Sequence, residues 1–193
     1  MTSAPGPLAE LRTERLLLRR WRPRDDAPMI AINRDPEVQR YLNRPVTEAA
    51  LAAFHPFLCE HWEIHGFGPW ALEAAAPFAA REGREAIEPG TLLGFAGVAY
   101  PTYLPAVAER PEIGWRLARA AWGLGLATEA ALAARDHAFA VLGLPRLIAL
   151  VHPENDRSQA VARKLGMAVE RQVHNPLLRR FVDVWALDAP AAG

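Results

Sequence analysis

The chain has 193 residues, 51% of them hydrophobic, which suffices for one substantial core and is too short for two comfortable domains. Its 22 Lys and Arg balance 22 Asp and Glu, so charge gives no general reason to bind nucleic acid or an anionic membrane. With no apolar run of membrane-spanning length, no signal-peptide features at the start and the single Cys59, we expect a cytoplasmic protein.

The first elements are a strand and two helices. Residues 14–21 have the pattern of a strand, and the acidic residues after Pro23 favour the start of a helix over 26–35. A second helix is predicted over 47–65, with Thr47 as its N-terminal cap. Pro56 inside this stretch predicts a kink or a division into two pieces.

Three strands are predicted next, over 69–74, 91–100 and 109–118, separated by polar or proline-rich turns. This spacing favours an antiparallel meander. Residues 77–90 are predicted to form an exposed hairpin loop, and 101–107 a second, irregular loop.

The second half is more regular. A strand over 111–117, a helix over 125–142 and a strand over 146–151 predict a β-α-β unit, whose right-handed crossover places the two strands side by side and parallel. Asn155 or Asp156 can cap a short helix that runs to Leu165. Residues 167–174 and 180–187 then predict a closing pair of strands, so we expect one domain with its core over 11–188.

The junction between strand 111–117 and the following helix predicts an anion site. Gly123, Gly125 and Ala127 allow a ligand close to the backbone, and the first helical amides lack internal acceptors and carry the positive end of the helix dipole. A pyrophosphate fits such a site. No Gly-Lys-Ser/Thr is present for a Walker A loop, and Thr128 stands where a dinucleotide fingerprint needs a small residue. Tight packing of helix on sheet is the alternative role for these glycines.

Three segments carry a resemblance to a known family: TERLLLRRW (13–21), EIGWRLARAAWGLGLATEA (112–130) and HPENDRSQAVARKLGM (152–167). The chain resembles the GCN5-related N-acetyltransferases (GNAT), most of all their ribosomal-protein-alanine acetyltransferase branch. The resemblance implies a mixed α+β fold, with a splayed mixed sheet of six to seven strands and about four helices. It also implies a cleft for acetyl-CoA between the fourth and fifth strands, no metal, and direct transfer of acetyl to a primary amine by a monomer or homodimer.

The resemblance also assigns residues to the cofactor. The strand edge Trp115 to Leu117 would pair with the pantetheine arm, and the Leu117 amide would stabilise the oxyanion. Trp122 stands where the family often has Gln or Arg, which removes a side-chain contact to phosphate. The remaining cofactor residues implied are Gly123, Leu124, Gly125, Leu126, Ala127, Thr128, Asn155 and Ser158.

Glu112 and Ser158 are the predicted catalytic residues. Glu112 would take the ammonium proton through a water, because an amine attacks a thioester only when neutral; a surface salt bridge is its alternative role. His152 is a second candidate base. Ser158 would donate to the departing thiolate, although the family's Tyr acid is missing near Ala162. Asn155 and Ser158 could instead be a helix cap and a solvated hydroxyl.

Aromatic residues before the middle strands, Trp62, Phe67, Trp70 and Tyr103, are predicted to wall an acceptor slot, although they could equally be core. With Glu60, Glu63 and Glu109 nearby, a cationic acceptor is favoured. His61 and His65 lack the partners of a zinc motif. The acceptor is open between a protein N-terminal amine and a small amine, and a non-catalytic acyl-CoA-binding module is the rival function.

Overall fold

The computed structural model describes residues 10–78 and 85–190, which contain one eight-stranded mixed sheet and five α-helices. The strands are β1 Glu10–Arg12, β2 Leu16–Arg19, β3 Pro69–Ala74, β4 Leu92–Ala99, β5 Glu112–Leu117, β6 Arg146–Val151, β7 Ala168–Asn175 and β8 Arg180–Asp188. The helices are α1 Asp26–Arg34, α2 Pro36–Gln39, α3 Glu48–His65, α4 Leu126–Ala140 and α5 Asp156–Lys164.

The spatial order of the strands is β1-β2-β3-β4-β5-β6-β8-β7. Every neighbouring pair is antiparallel except β5 and β6, which are parallel as the predicted β-α-β unit requires. The predicted antiparallel meander corresponds to β3, β4 and β5. Residues 79–84 of the expected hairpin loop lie outside the described residues, and next to them Phe78 pairs with Ile87 in an antiparallel bridge.

Both faces of the sheet are covered. Helix α4 packs on one face through fully buried alanines, including Ala130 and Ala134, whose small side chains allow close approach to β4 and β5. Residues of α1 to α3 form a second buried cluster around Met29 and Leu58, against Ala71 and Leu92 of the sheet. None of the helices in the described ranges has the length and apolarity to cross a bilayer.

Helix α3 is one continuous helix rather than two pieces. The Thr47 side chain accepts a hydrogen bond from the Ala50 amide, as a cap should, and Gly66 ends the helix in the left-handed conformation at φ 73°. Pro56 lacks the amide of an interior helical bond. Burial of Leu58 and Trp62 beyond the proline holds the helix against the core.

The strands β5 and β6 separate soon after they meet. Their ladder consists of one register pair, Glu112 with Ile148, beside a hydrogen bond from the Ile148 amide to the Pro111 carbonyl. Beyond this pair the two strands diverge towards their carboxyl ends. The strands predicted as fourth and fifth are β5 and β6 of the structure, because the short edge strand β1 precedes the strand predicted as first. The expected cleft therefore corresponds to the gap between β5 and β6.

Candidate active site

A cavity of about 710 Å³ opens where β5 and β6 diverge. Its walls come from both strands, from the N-terminal ends of α4 and α5, and from residues 40–44 before α3. The carboxyl ends of strands at a break in an open α/β sheet are where such folds bind ligands. The cavity is bordered by Glu112, by Tyr103 and by the predicted cofactor residues of segments 115–128 and 155–158 other than Leu124.

The free edge of β5 faces this cavity. The Ala118 amide donates to the Leu93 carbonyl at 2.8 Å, so alternate residues back along β5 direct their main-chain groups to β4. Trp115 and Leu117 consequently direct theirs into the gap. The Leu117 carbonyl accepts from the Trp122 indole nitrogen at 2.8 Å. The Leu117 amide and the main chain of Trp115 thus lie on the edge where the sequence predicted them.

The loop before α4 has the backbone of an anion site. Gly123 and Gly125 have φ of 76° and 80°, in the left-handed region that favours glycine. Helix α4 starts at Leu126, and within the described residues no side chain caps its first turn. Leu126, Ala127 and Thr128 all border the cavity. Their amides are directed towards the N-terminal end of the helix, where an anion is stabilised.

An arginine from the β1–β2 turn supports this loop. Arg15 donates to the Leu124 carbonyl at 2.8 Å and, through Nε, to Glu129 at 2.7 Å. Thr13 also donates to Glu129, at 2.5 Å. Burial acts to raise the pKa of Glu129, but these hydrogen bonds outweigh it and the pKa lies below its ordinary value. This support was not predicted from the sequence, although TERLLLRRW contains both Thr13 and Arg15.

Arg157 supplies a cation where Trp122 provides none. The Arg157 guanidinium lies 4.6 Å from the centre of the Trp122 ring, and both residues border the cavity. A guanidinium stacked on an indole is held in place by the ring's negative face. The loop before α4 therefore has a positive side chain from α5 beside it, which the sequence did not predict.

Asn155 and Ser158 both border the cavity. The Asn155 side chain accepts from the Ser158 amide at 3.1 Å, so it does act as the cap of α5. A cap of this kind engages the side-chain oxygen and leaves the NH₂ group for a ligand. Ala162, where the family's Tyr was expected, is fully buried in the core. That position therefore faces the core rather than the cavity.

Glu112 borders the cavity at the last point where β5 and β6 still touch. Burial raises the pKa of Glu112 to about 7, and the positive charge of Arg44 and the Tyr103 hydroxyl partly offset this effect. That hydroxyl donates to Oε2 of Glu112 at 3.4 Å. Among the described residues Glu112 forms no ion pair within 4.0 Å, so its alternative role as a salt-bridge partner is not seen. Its carboxyl group is poised to exchange a proton near neutral pH.

His152 also borders the cavity, with its ring centre 5.1 Å from that of Tyr41. Its Nδ1 accepts from the Glu154 amide at 3.1 Å. Burial and, next, the charge of Arg180 hold the pKa of His152 below its ordinary value. Because Nδ1 accepts this hydrogen bond, a neutral His152 ring carries its proton on Nε2.

The predicted acceptor wall is corrected by the structure. Tyr103 borders the cavity, whereas Trp62 and Trp70 are 2% and 1% exposed and pack edge to face in the core at 5.4 Å. Phe67 is buried in the same cluster. The Trp70 ring also lies edge to face against His137 of α4 at 5.0 Å, so the two buried indoles cannot reach a ligand in this cavity.

The expected acidic rim is also absent from the cavity lining, since Glu60, Glu63 and Glu109 do not border it. Arg44 and Arg116 do, next to Glu112. Neither arginine was predicted from the sequence to line the site. The alternation of strand residues in EIGWR would have placed Arg116 on the face of Glu112, whereas nothing local marks Arg44.

The histidines of α3 are engaged in packing. The Tyr100 amide donates to Nε2 of His61 at 3.1 Å, which leaves the proton on Nδ1 to donate to the Phe67 carbonyl at 2.8 Å. Both ring nitrogens of His61 are thereby occupied. No group of His, Cys, Asp or Glu in the described ranges is arranged to hold a metal ion.

Comparison with known proteins gives a family match over residues 15–168, to the model described as the acetyltransferase (GNAT) domain. The N-acetyltransferase p20 of Bacillus licheniformis is 31% identical over 178 residues, which cover 91% of this chain and 92% of that protein.

Solved structures share the fold along nearly the whole chain. An acetyltransferase from Agrobacterium tumefaciens str. C58 is 25% identical, with a TM-score of 0.76 over 97% of this chain and 98% of that one. The ribosomal-protein-S5-alanine acetyltransferase from Vibrio fischeri has a TM-score of 0.71 at 16% identity, with 94% and 97% coverage. RimJ of Mycobacterium smegmatis, in complex with CoA-disulfide, has a TM-score of 0.66 at 24% identity, with 90% and 82% coverage.

Proposed function

Because the chain belongs to the GNAT acetyltransferase family, we propose that it transfers the acetyl group of acetyl-CoA to a primary amine by direct attack in a ternary complex. The observation that carries this proposal is the position of Glu112. A carboxyl group with a pKa of about 7 borders the gap between two splayed strands, beside a free strand edge and near an anion-binding loop. These are the parts that an amine acetylation needs in one place.

The chain's residues bind the two ends of acetyl-CoA separately. The amides of Leu126 to Thr128 and the Arg157 guanidinium hold the pyrophosphate at the N-terminal end of α4. The main chain of Trp115 pairs with the pantetheine arm, and the Asn155 amide group binds the same arm. This places the thioester within the gap, where the Leu117 amide donates to its carbonyl oxygen as negative charge develops.

The chemical step requires a neutral amine. Glu112 accepts one proton from the ammonium group through a water, and the freed nitrogen attacks the thioester carbon. The Leu117 amide stabilises the resulting oxyanion. As the carbon–sulfur bond breaks, Ser158 donates a hydrogen bond to the departing thiolate, which takes the second proton of the former ammonium group. The products are the acetylated amine and the free thiol of CoA.

The proposal is tested by measuring thiol release from acetyl-CoA across a panel of amines, with products identified by mass spectrometry. We expect at least one primary amine to be acetylated. Binding of CoA with no turnover on any amine would instead identify the rival function, a non-catalytic acyl-CoA-binding module.

The role of Glu112 is tested by its pH dependence. Glu112→Gln keeps the shape of the side chain and removes the base, so we expect kcat to fall by roughly 10²- to 10⁴-fold. The wild-type kcat/KM should rise with pH and bend near pH 7, because a base works only when deprotonated and burial places this pKa at about 7. The kcat/KM of the variant should show no bend near pH 7 and should rise with pH only because more of the amine is then in its free, neutral form.

Glu109→Gln is the matched control for this variant, since Glu109 lies three residues away and does not border the cavity. It should keep the wild-type rate and the bend. If Glu112→Gln also kept both, His152 or bulk water would be the base.

A further inference from the structure

We propose that the amine acceptor carries a carboxylate, which Arg116 and Arg44 bind while its amino group faces Glu112. This inference rests on the proposed function and names the acceptor's chemical class. It replaces the cationic acceptor expected from the sequence, whose supporting glutamates lie outside the cavity.

An empty slot separates Glu112 from Arg116. Alternate residues of a strand share a face, so Glu112, Gly114 and Arg116 lie on one side of β5, with the outer two about 13 Å apart at Cα. A Cβ added at Gly114 would meet only the edge of the Phe95 ring, at 4.0 Å. The absent side chain leaves room for a small molecule between a carboxyl group and a guanidinium.

Arg116 is held rigidly, with donors to spare. One of its nitrogens donates to Oδ1 of Asn33 at 2.6 Å, and the guanidinium lies 5.4 Å and 5.3 Å from the ring centres of Phe54 and Phe95. A guanidinium has five N–H donors, and this bond uses one. No carboxylate among the described residues lies within ion-pair distance of Arg116. It is thus positioned to bind an anion that the protein itself does not supply.

Arg44 adds a second unpaired positive charge. Its guanidinium lies 4.9 Å from the Tyr103 ring centre and 5.4 Å from that of Phe57, and it forms no ion pair within the described ranges. Neighbouring Arg40, by contrast, is paired with Glu37. Aromatic faces hold Arg44 in the cavity wall without neutralising it.

The charges at this end of the cavity do not balance. Two arginines surround one carboxyl group whose pKa of about 7 leaves it only partly ionised at neutral pH. Burial and, next, repulsion from Arg44 lower the pKa of Arg116 to about 10, which still leaves it positive. Two like charges kept together in a partly buried site cost stability, and a bound carboxylate relieves that cost. A polyamine would add further positive charge to the same place.

The test compares amines that bear a carboxylate with amines of nearly the same shape that lack its charge, and with a polyamine. The probes are glycine, β-alanine and γ-aminobutyrate, each against its carboxamide, together with spermidine. We expect the best carboxylate to exceed its carboxamide by at least about 10-fold in kcat/KM, since hydrogen bonds to a charged partner are the strong ones. The three chain lengths determine how far the carboxylate lies from the amine.

The variant Arg116→Gln should remove this preference, chiefly by raising the KM for the carboxylate, while CoA affinity stays near wild type. Because the charge of Arg116 also lowers the pKa of Glu112, the carboxylate and the carboxamide are compared within the same variant. Arg44→Gln should also reduce the preference for the carboxylate. It provides a second test if Arg116→Gln fails to fold. Arg119→Gln is the matched control, because Arg119 follows β5, pairs with Asp35 and does not border this cavity.

A binding measurement separates this inference from the proposed function. Nuclear magnetic resonance titration of the CoA-bound protein with the N-acetylated carboxylate and with its carboxamide requires no turnover. Tighter binding of the carboxylate supports the inference even if no amine releases thiol. The absence of thiol release would refute only the proposed function. Equal binding of the N-acetylated carboxylate and its carboxamide would overturn the inference. A preference for spermidine that Arg116→Gln leaves unchanged would also overturn it, and neither result would contradict the role of Glu112 as the base.

Discussion

Asn155 caps α5 and Ser158 lies in its first turn, and we expect their side chains to have different tasks. The Asn155 oxygen caps the helix, so Asn155→Ala should lower the free energy of unfolding by about 1 kcal/mol as well as weaken CoA binding.

Ser158→Ala should lower kcat with little change in CoA affinity, since the hydrogen bond from Ser158 to the thiolate exists only as the thioester breaks. Thermal denaturation, calorimetry with CoA and steady-state kinetics measure the three effects.

The control for Asn155 is Asn155→Asp, which keeps an oxygen at the cap and loses the NH₂ group. It should retain stability and lose CoA affinity. If CoA affinity instead followed stability through both variants, Asn155 would be a structural cap alone. A wild-type rate for Ser158→Ala would mean that water, rather than Ser158, donates the hydrogen bond to the departing thiolate.

At the scale of elements, the N-terminus of α4 depends on Gly125. Its φ of 80° costs an L-residue roughly 1–2 kcal/mol, and an added Cβ would lie 3.4 Å from the Arg15 guanidinium that holds the Leu124 carbonyl. Gly125→Ala should therefore weaken CoA binding several-fold by shifting the loop. Calorimetric titration with CoA measures the loss.

Gly143 provides a matched control for this variant. It has a φ of 65°, an added Cβ there would meet no atom within 4 Å, and it lies beyond the other end of α4. Gly143→Ala should cost similar stability through backbone strain and leave CoA affinity unchanged. Equal CoA affinity in the two variants would mean that the loop before α4 does not bind the pyrophosphate.

The elements that the sequence predicted well are those whose pattern is local and long enough to read. Strand β3 was predicted with its full bounds, and the β-α-β unit of β5, α4 and β6 followed from alternation and from the glycines at the turn. Strand β1 and helix α2, of three and four residues, are too short to show a period and were missed.

The residues of the candidate site also fall into those that a local pattern indicates and those that it does not. The predicted cofactor residues lie in two continuous segments, 115–128 and 155–158, so a motif could indicate them. Trp70 was misplaced because the same aromatic spacing serves a core and a pocket wall. Arg44 joins the site only because residues 40–44 lie against β6, where the Asn43 side chain donates to the Leu150 carbonyl at 2.9 Å. No local pattern encodes such a contact between distant parts of the chain.

At the scale of the whole molecule, one buried ion network ties the N-terminal edge of the sheet to the helices beside the acceptor slot. Arg19 on β2 is 1% exposed and forms two hydrogen bonds with Asp25, at 2.7 and 2.8 Å, and one with Glu73 on β3 at 2.8 Å. Asp25 directly precedes α1, which contains Asn33, the partner of Arg116. Loss of this network would therefore affect both stability and the slot.

Asp25→Asn leaves the Arg19 charge buried without its main partner, which typically costs about 3–5 kcal/mol. Burial acts to raise the pKa of Asp25, but the hydrogen bonds from Arg19 and from the Arg22 amide outweigh it and lower that pKa. A carboxyl group with a depressed pKa stabilises the fold fully above its unfolded pKa of about 3.9 and loses that contribution as pH falls through the folded value. Wild-type stability should therefore decline below about pH 4, and the decline should be shallower in the variant.

Urea denaturation between pH 3 and pH 7 measures both effects, with Glu48→Gln as the control. Glu48 pairs with Arg34 on the surface, at 2.7 Å and largely exposed, so its loss should change the free energy of unfolding by less than about 1 kcal/mol. A variant Asp25→Asn with wild-type stability at pH 7 would show that the buried pair only compensates its own desolvation. If Asp25→Asn lost much of its free energy of unfolding at pH 7 but kept the wild-type dependence of stability on pH below pH 4, the cost would come from packing rather than from charge.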